Sequence, residues 1–127
     1  MKSITREWVQ KAEGDFVTAE RELSAATDPN YDAACFHSQQ CVEKYLKGRL
    51  QEADLHFEKT HDLSSLLDLV LPVEPDWEDL RSELNLLNSF AVDFRYPGEF
   101  ADEADAEVAI VTCRKVRLLV RESLDLA

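Results

Sequence analysis

Apolar residues recur along this chain at alternating steps of three and four. Val9, Ala12, Phe16, Ala19, Leu23 and Ala26 form the first series. That spacing sets one stripe on a helix, predicted from about Thr5 to Ala26. Glu13, Glu20, Arg21 and Glu22 fall off the stripe. Ser3 or Thr5 can cap its start, and Thr27-Asp28-Pro29-Asn30 turns the chain out. A second helix is predicted from about Tyr31 to Ala53. Ala34, Cys41, Tyr45 and Gly48 lie on one side of it, with Val42, Leu46 and Leu50 beside them. So broad an apolar surface marks a central helix with neighbours on two sides. Gly48 in mid-helix costs about 1 kcal/mol relative to Ala and suits the close approach of another helix.

Past a polar connection, roughly Asp54 to Lys59, Thr60 can cap a short helix from His61 to Leu71 carrying Leu63, Leu66, Leu67 and Val70. A fourth helix starts near Asp76 as N-cap and repeats the pattern through Trp77, Leu80, Leu84, Leu87, Ala91 and Phe94. It should end near Arg95, because the residue before Pro97 is pushed away from helical angles. Tyr96-Pro97-Gly98-Glu99 suits a type II turn. The last helix, about Asp102 to Leu124, contains Val108-Ala109-Ile110-Val111 and Leu118-Leu119-Val120. These runs wrap more than half of it, so it is either deeply buried or pairs a spare face with another subunit. Together the segments describe one all-α domain over residues 1–127, an up-and-down bundle of four long helices and one short one.

Composition agrees. The chain has 127 residues, 45% hydrophobic and 31% charged, with only 3 Gly and 4 Pro, too few for a turn-rich sandwich or barrel. The net charge of -12 opposes non-specific binding to a nucleic-acid backbone. It leaves room for a nucleotide site, which needs only one or two local cations. From Leu71 to Ile110, eleven acids stand against Arg81 and Arg95 alone, whereas Arg114, Lys115, Arg117 and Arg121 make the last stretch basic. Cys35, Cys41 and Cys113 have no framework spacing and read as core residues. No segment approaches the ~20 apolar residues of a membrane span, and the N-terminus lacks the apolar run of a signal peptide. The expected location is the cytoplasm.

The densest polar group lies on the second helix. His37, Gln40 and Lys44 share a face at i, i+3 and i+7 and could converge on a phosphate or base. The alternative is that they hydrogen-bond within the bundle, as buried polar groups must. Glu43 and Lys47 read as a surface pair. His37 and Cys41 give two of the three or four ligands zinc needs, with nothing supplying the rest at recognisable spacing, and His56 and His61 with Glu58 and Asp62 nearby are only a weak signal, so no metal is expected. His61 reads as the opening of the third helix. Arg95 sits at a helix C-terminus, where a cation suits the dipole, or serves as an anion-binding arginine. No phosphate-binding glycine loop or nucleophile elbow occurs.

Phe36-His37-Ser38-Gln39-Gln40 with Glu43-Lys44 and Leu46-Lys47 resembles the second-helix signature of HEPN domains (higher eukaryotes and prokaryotes nucleotide-binding). Thr60-His61-Asp62-Leu63 and Arg95-Tyr96-Pro97 resemble two further segments of that family, and Ala12-Glu13 with Asp15-Phe16 fits its opening helix. The resemblance implies a small helical bundle that forms homodimers, often beside a minimal nucleotidyltransferase in a toxin–antitoxin pair. It implies no cofactor. Nuclease members carry Arg, four to six residues, then His, as a metal-independent RNase site. Here Tyr96 to Val111 contains no His, which argues against that activity. The expected function is a dimeric nucleotide-binding module, with His37, Gln40, Lys44, Arg95 and Tyr96 as candidate ligand contacts and Arg95 the one candidate catalytic residue. The alternatives are an RNase in which Tyr96 or His37 replaces the missing histidine, and a purely structural dimerisation module.

Overall fold

The computed structural model describes residues 1–127. Five α-helices follow one another: α1 Ser3–Ser24, α2 Tyr31–Glu52, α3 Leu63–Val70, α4 Arg81–Asp93 and α5 Glu103–Ser123, with a 3₁₀ segment, Pro75–Leu80, leading into α4. There is no strand. The all-helical bundle of four longer helices and one short one is the architecture the periodicity predicts.

α2 is the centre of the bundle and packs against α1, α3, α4 and α5. Cys41, Val42, Tyr45, Leu46 and Leu50 are all fully buried on it. Each large apolar side chain so buried contributes about 1.5–3 kcal/mol. Gly48 lets α1 come close, since a Cβ there would lie 3.3 Å from Trp8 Cβ. α5 is neither wholly buried nor free. Ala106, Ile110, Cys113, Val116 and Val120 face the core, while Val108, Val111 and Leu118 remain 44, 57 and 63% exposed.

The arginines of the basic end are spent on α1, while Lys115 pairs with Glu83 of α4. Arg117 forks onto Glu13 at 2.6 and 2.8 Å, Arg121 reaches the same carboxylate at 3.0 Å, and Arg114 forks onto Glu20 at 2.7 and 2.9 Å. Arg117 also lies 4.7 Å from the centre of the Phe16 ring. Glu13 and Glu20, left off the apolar stripe of α1, are therefore the partners that hold α5.

Several boundaries differ from expectation. Neither Ser3 nor Thr5 caps α1, because the helix begins at Ser3 after Lys2 and Thr5 is buried inside it. α3 starts at Leu63 with Asp62 as its cap, so Thr60 lies too early and His61 precedes the helix. Thr60 instead accepts the Asp62 amide at 3.1 Å. Pro75 starts a 3₁₀ segment that takes in Asp76, so Asp76 caps nothing. At the other end of α4 the expected turn is present. Gly98 has a φ of +95°, and the Glu99 amide donates to the Tyr96 carbonyl at 3.4 Å. Asp102 and Asp105 then close a reciprocal capping box on α5.

Candidate functional site

The polar face of α2 divides into two networks. His37 Nδ1 lies 2.8 Å from Asp15 Oδ1, and Lys44 donates to Asp15 Oδ2 at 2.6 Å. Asp15 of α1 thus gathers both side chains and neutralises Lys44. Gln40 turns the other way, giving its amide N–H to Gln39 Oε1 at 2.7 Å.

The second network centres on Glu43. Its carboxylate takes Lys47 Nζ at 3.0 Å, and both side chains are almost fully buried. This pair, expected on the surface, is internal because Trp8 and Phe57 cover it. Lys47 Nζ sits 5.5 Å from the Trp8 ring centre and 6.0 Å from that of Phe57. A buried ion pair persists only when further hydrogen bonds satisfy it. Those bonds are present. His61 Nδ1 lies 2.9 Å from Glu43 Oε1, and Gln39 Nε2 reaches the same oxygen at 3.4 Å and the His61 carbonyl at 2.9 Å. Glu43 is 4% exposed and the His61 side chain 72%. A buried carboxylate therefore orients an imidazole whose other nitrogen looks outward.

The imidazole borders an open groove of about 470 Å³ between α2, α4 and the loop before α3. Its wall includes Phe36, Gln39 and Gln40 of α2, His61 of the loop, Asn88 of α4 and Arg95 just beyond it. Asp62 lines it too. Ser65 and Asn88, together with backbone amides, hold the Asp62 carboxyl below the usual carboxylate range, against its burial. Phe36 is 40% exposed beside the groove. Arg95 is exposed and forms no ion pair, in contrast to Arg81, which Glu78 and Asp68 grip at 2.7 and 2.5 Å.

Of the residues the sequence singles out, Gln40 and Arg95 come together on this groove. His37 and Lys44 point to Asp15, and Tyr96 projects into solvent outside the groove. His61, Phe36 and Asn88 are not selected by helical spacing. His61 carries one signal, its place in Thr60-His61-Asp62-Leu63. No three His, Cys, Asp or Glu side chains are grouped to hold a metal ion, and His56 pairs only with Glu58, at 3.0 Å. All three cysteines are buried and free. Burial, with nearby carboxylates, pushes the Cys35 thiol up to about 12, which suppresses the reactive thiolate. No helix is long and apolar enough to cross a membrane.

Two solved structures share this architecture. ST0689, described as an archaeal HEPN homologue, is 27% identical, with a TM-score of 0.70 over 97% of this chain and 98% of that one. TT1696 from Thermus thermophilus is 25% identical, with a TM-score of 0.74 over 95% of this chain and 98% of that one. No curated protein matches. The family model for the HEPN domain matches residues 5–123, nearly the whole chain, and the protein belongs to that family.

Proposed function

We propose that this HEPN domain is a dimeric nucleotide-binding module whose site is the groove between α2 and α4. One observation carries the reading: the groove brings an unpaired arginine, an exposed aromatic ring and outward polar atoms onto one wall. Arg95 would take the phosphate, Phe36 would stack on the base, and Gln40 and His61 would contact its edge. A stacked base and a charge-assisted phosphate contact need no glycine loop. The prediction is heat on titration with ATP or GTP, abolished in Arg95→Ala. Silence with both nucleotides removes the ligand from the account.

The outward side of α5 supports self-association. Val108, Val111 and Leu118 recur at helical spacing and stay exposed, and such a stripe is commonly covered by a partner. Light scattering should give twice the chain mass, and Leu118→Lys with Val111→Lys should give the monomer. The resemblance to HEPN domains paired with minimal nucleotidyltransferases supports such a partner, in a cytoplasmic toxin–antitoxin-like pair. Co-purification with the product of the neighbouring gene tests this.

A second reading, a metal-independent RNase, is favoured by the Glu43–His61 dyad. His61 Nε2 could take the proton of a ribose 2′-hydroxyl while Arg95 holds the phosphate. The residue partnering Arg95 would then be His61 rather than Tyr96 or His37, neither of which lines the groove. RNA cleavage that survives both Arg95→Ala and His61→Ala rules this reading out.

A further inference from the structure

The buried Glu43–Lys47 pair dictates which way every neighbouring polar group faces. An ionised carboxylate only accepts hydrogen bonds. Gln39 must therefore turn its amide N–H inward, toward Glu43 and the His61 carbonyl. Its own carbonyl oxygen then receives the Gln40 N–H at 2.7 Å. The Gln40 carbonyl oxygen is left without a partner, and Gln40 lines the groove. The same logic fixes His61. Nδ1 carries the proton shared with Glu43, so in the neutral ring Nε2 offers a lone pair. Asn88 spends its oxygen on the Leu63 amide at 3.1 Å and one N–H on Asp62 at 2.7 Å, which leaves its second N–H as the one amide donor on the wall. Asp62 can only accept. The wall thus offers acceptors at Gln40 and His61, one amide N–H at Asn88 and one cation, Arg95.

Such a wall sorts the nucleobases. Guanine alone carries two adjacent donors on its pairing edge, N1–H and the 2-amino group. Adenine and cytosine place one amino donor beside an acceptor, and uracil has one N–H between two carbonyls. We propose that the groove selects guanine nucleotides. Gln40 Oε1 and His61 Nε2 accept from the guanine edge, Phe36 stacks on the ring, and Arg95 meets the phosphate. This inference rests on the nucleotide-binding reading, and it excludes the RNase reading for the same complex, because Nε2 cannot both accept from the base and deprotonate a ribose.

Calorimetric titration of the full chain at pH 8 with GMP, IMP, AMP and CMP tests it. GMP should bind tightest. IMP, which lacks only the 2-amino group, should bind about tenfold more weakly, the loss expected for one hydrogen bond. AMP and CMP should be weaker still. Gln40→Met should stay folded by circular dichroism, with a lower melting temperature because the buried Gln39 oxygen loses its partner, and bring GMP and IMP to equal affinity. Equal affinities for GMP, IMP and AMP in the wild type overturn the base preference while leaving nucleotide binding intact. No binding of any nucleotide overturns the underlying reading as well.

Discussion

Glu43 illustrates how much one residue can determine here. It compensates Lys47, orients His61 and, through Gln39, sets the direction of Gln40. Glu43→Ala would leave a buried lysine unpaired, at a cost of about 3–5 kcal/mol by urea unfolding. A loss below about 1 kcal/mol would mean that water already solvates Lys47. Glu13 makes a separate, pH-dependent contribution. The Arg117 hydrogen bonds hold its carboxyl below the ordinary 4.5, against the effect of burial. A carboxylate lowered in the folded state stabilises fully above its unfolded value and loses that contribution as pH falls through the folded one. Melting temperature should therefore drop as pH descends from 4.5, and Glu13→Gln should be less stable at pH 7 and flatter across the acid range. An unchanged acid profile in Glu13→Gln would show that other carboxylates set the acid limit. Residue roles were only partly legible in the sequence. Spacing along α2 shows which side chains share a face but not what that face meets. Asp15, twenty-two residues before His37, draws His37 and Lys44 away, and His61, eighteen residues after Glu43, completes the second network.

The helices themselves were legible, because burial imposes a 3.6-residue period on the sequence. Their ends were less so. Capping is a local competition among neighbouring Ser, Thr and Asp side chains, and Asp62 wins over Thr60 because its carboxylate reaches the Ser64 amide. Pro75 tightens the start of the fourth segment into a 3₁₀ turn, which periodicity alone does not distinguish from an α-helical one. Gly48 is the position at which one element depends on another. Gly48→Val would drive a branched side chain into Trp8 and Val9, forcing α1 off α2. The expected loss is about 1–3 kcal/mol by denaturant unfolding. Stability within error of wild type would show that α1 can shift without cost.

For the whole molecule, charge is divided by purpose. The arginines of α5 are consumed in holding α1, Lys115 pairs with Glu83 of α4, and Arg81 and Arg49 are held by acids of neighbouring segments. Against a net charge of -12, Arg95 stands unpaired on the groove that Phe36, Gln40 and His61 share. That arrangement is the reason for reading the bundle as a binding module, and it forms only when α2, α4 and the loop before α3 meet. An amide and side-chain NMR titration of the full chain with GMP would decide whether the groove is the site. Shifts should concentrate at Phe36, Gln40, His61 and Arg95, leave Asp15 and Lys44 unmoved, and vanish in Arg95→Ala. Shifts centred on Asp15 and Lys44, or none at saturating nucleotide, would overturn the assignment of the groove.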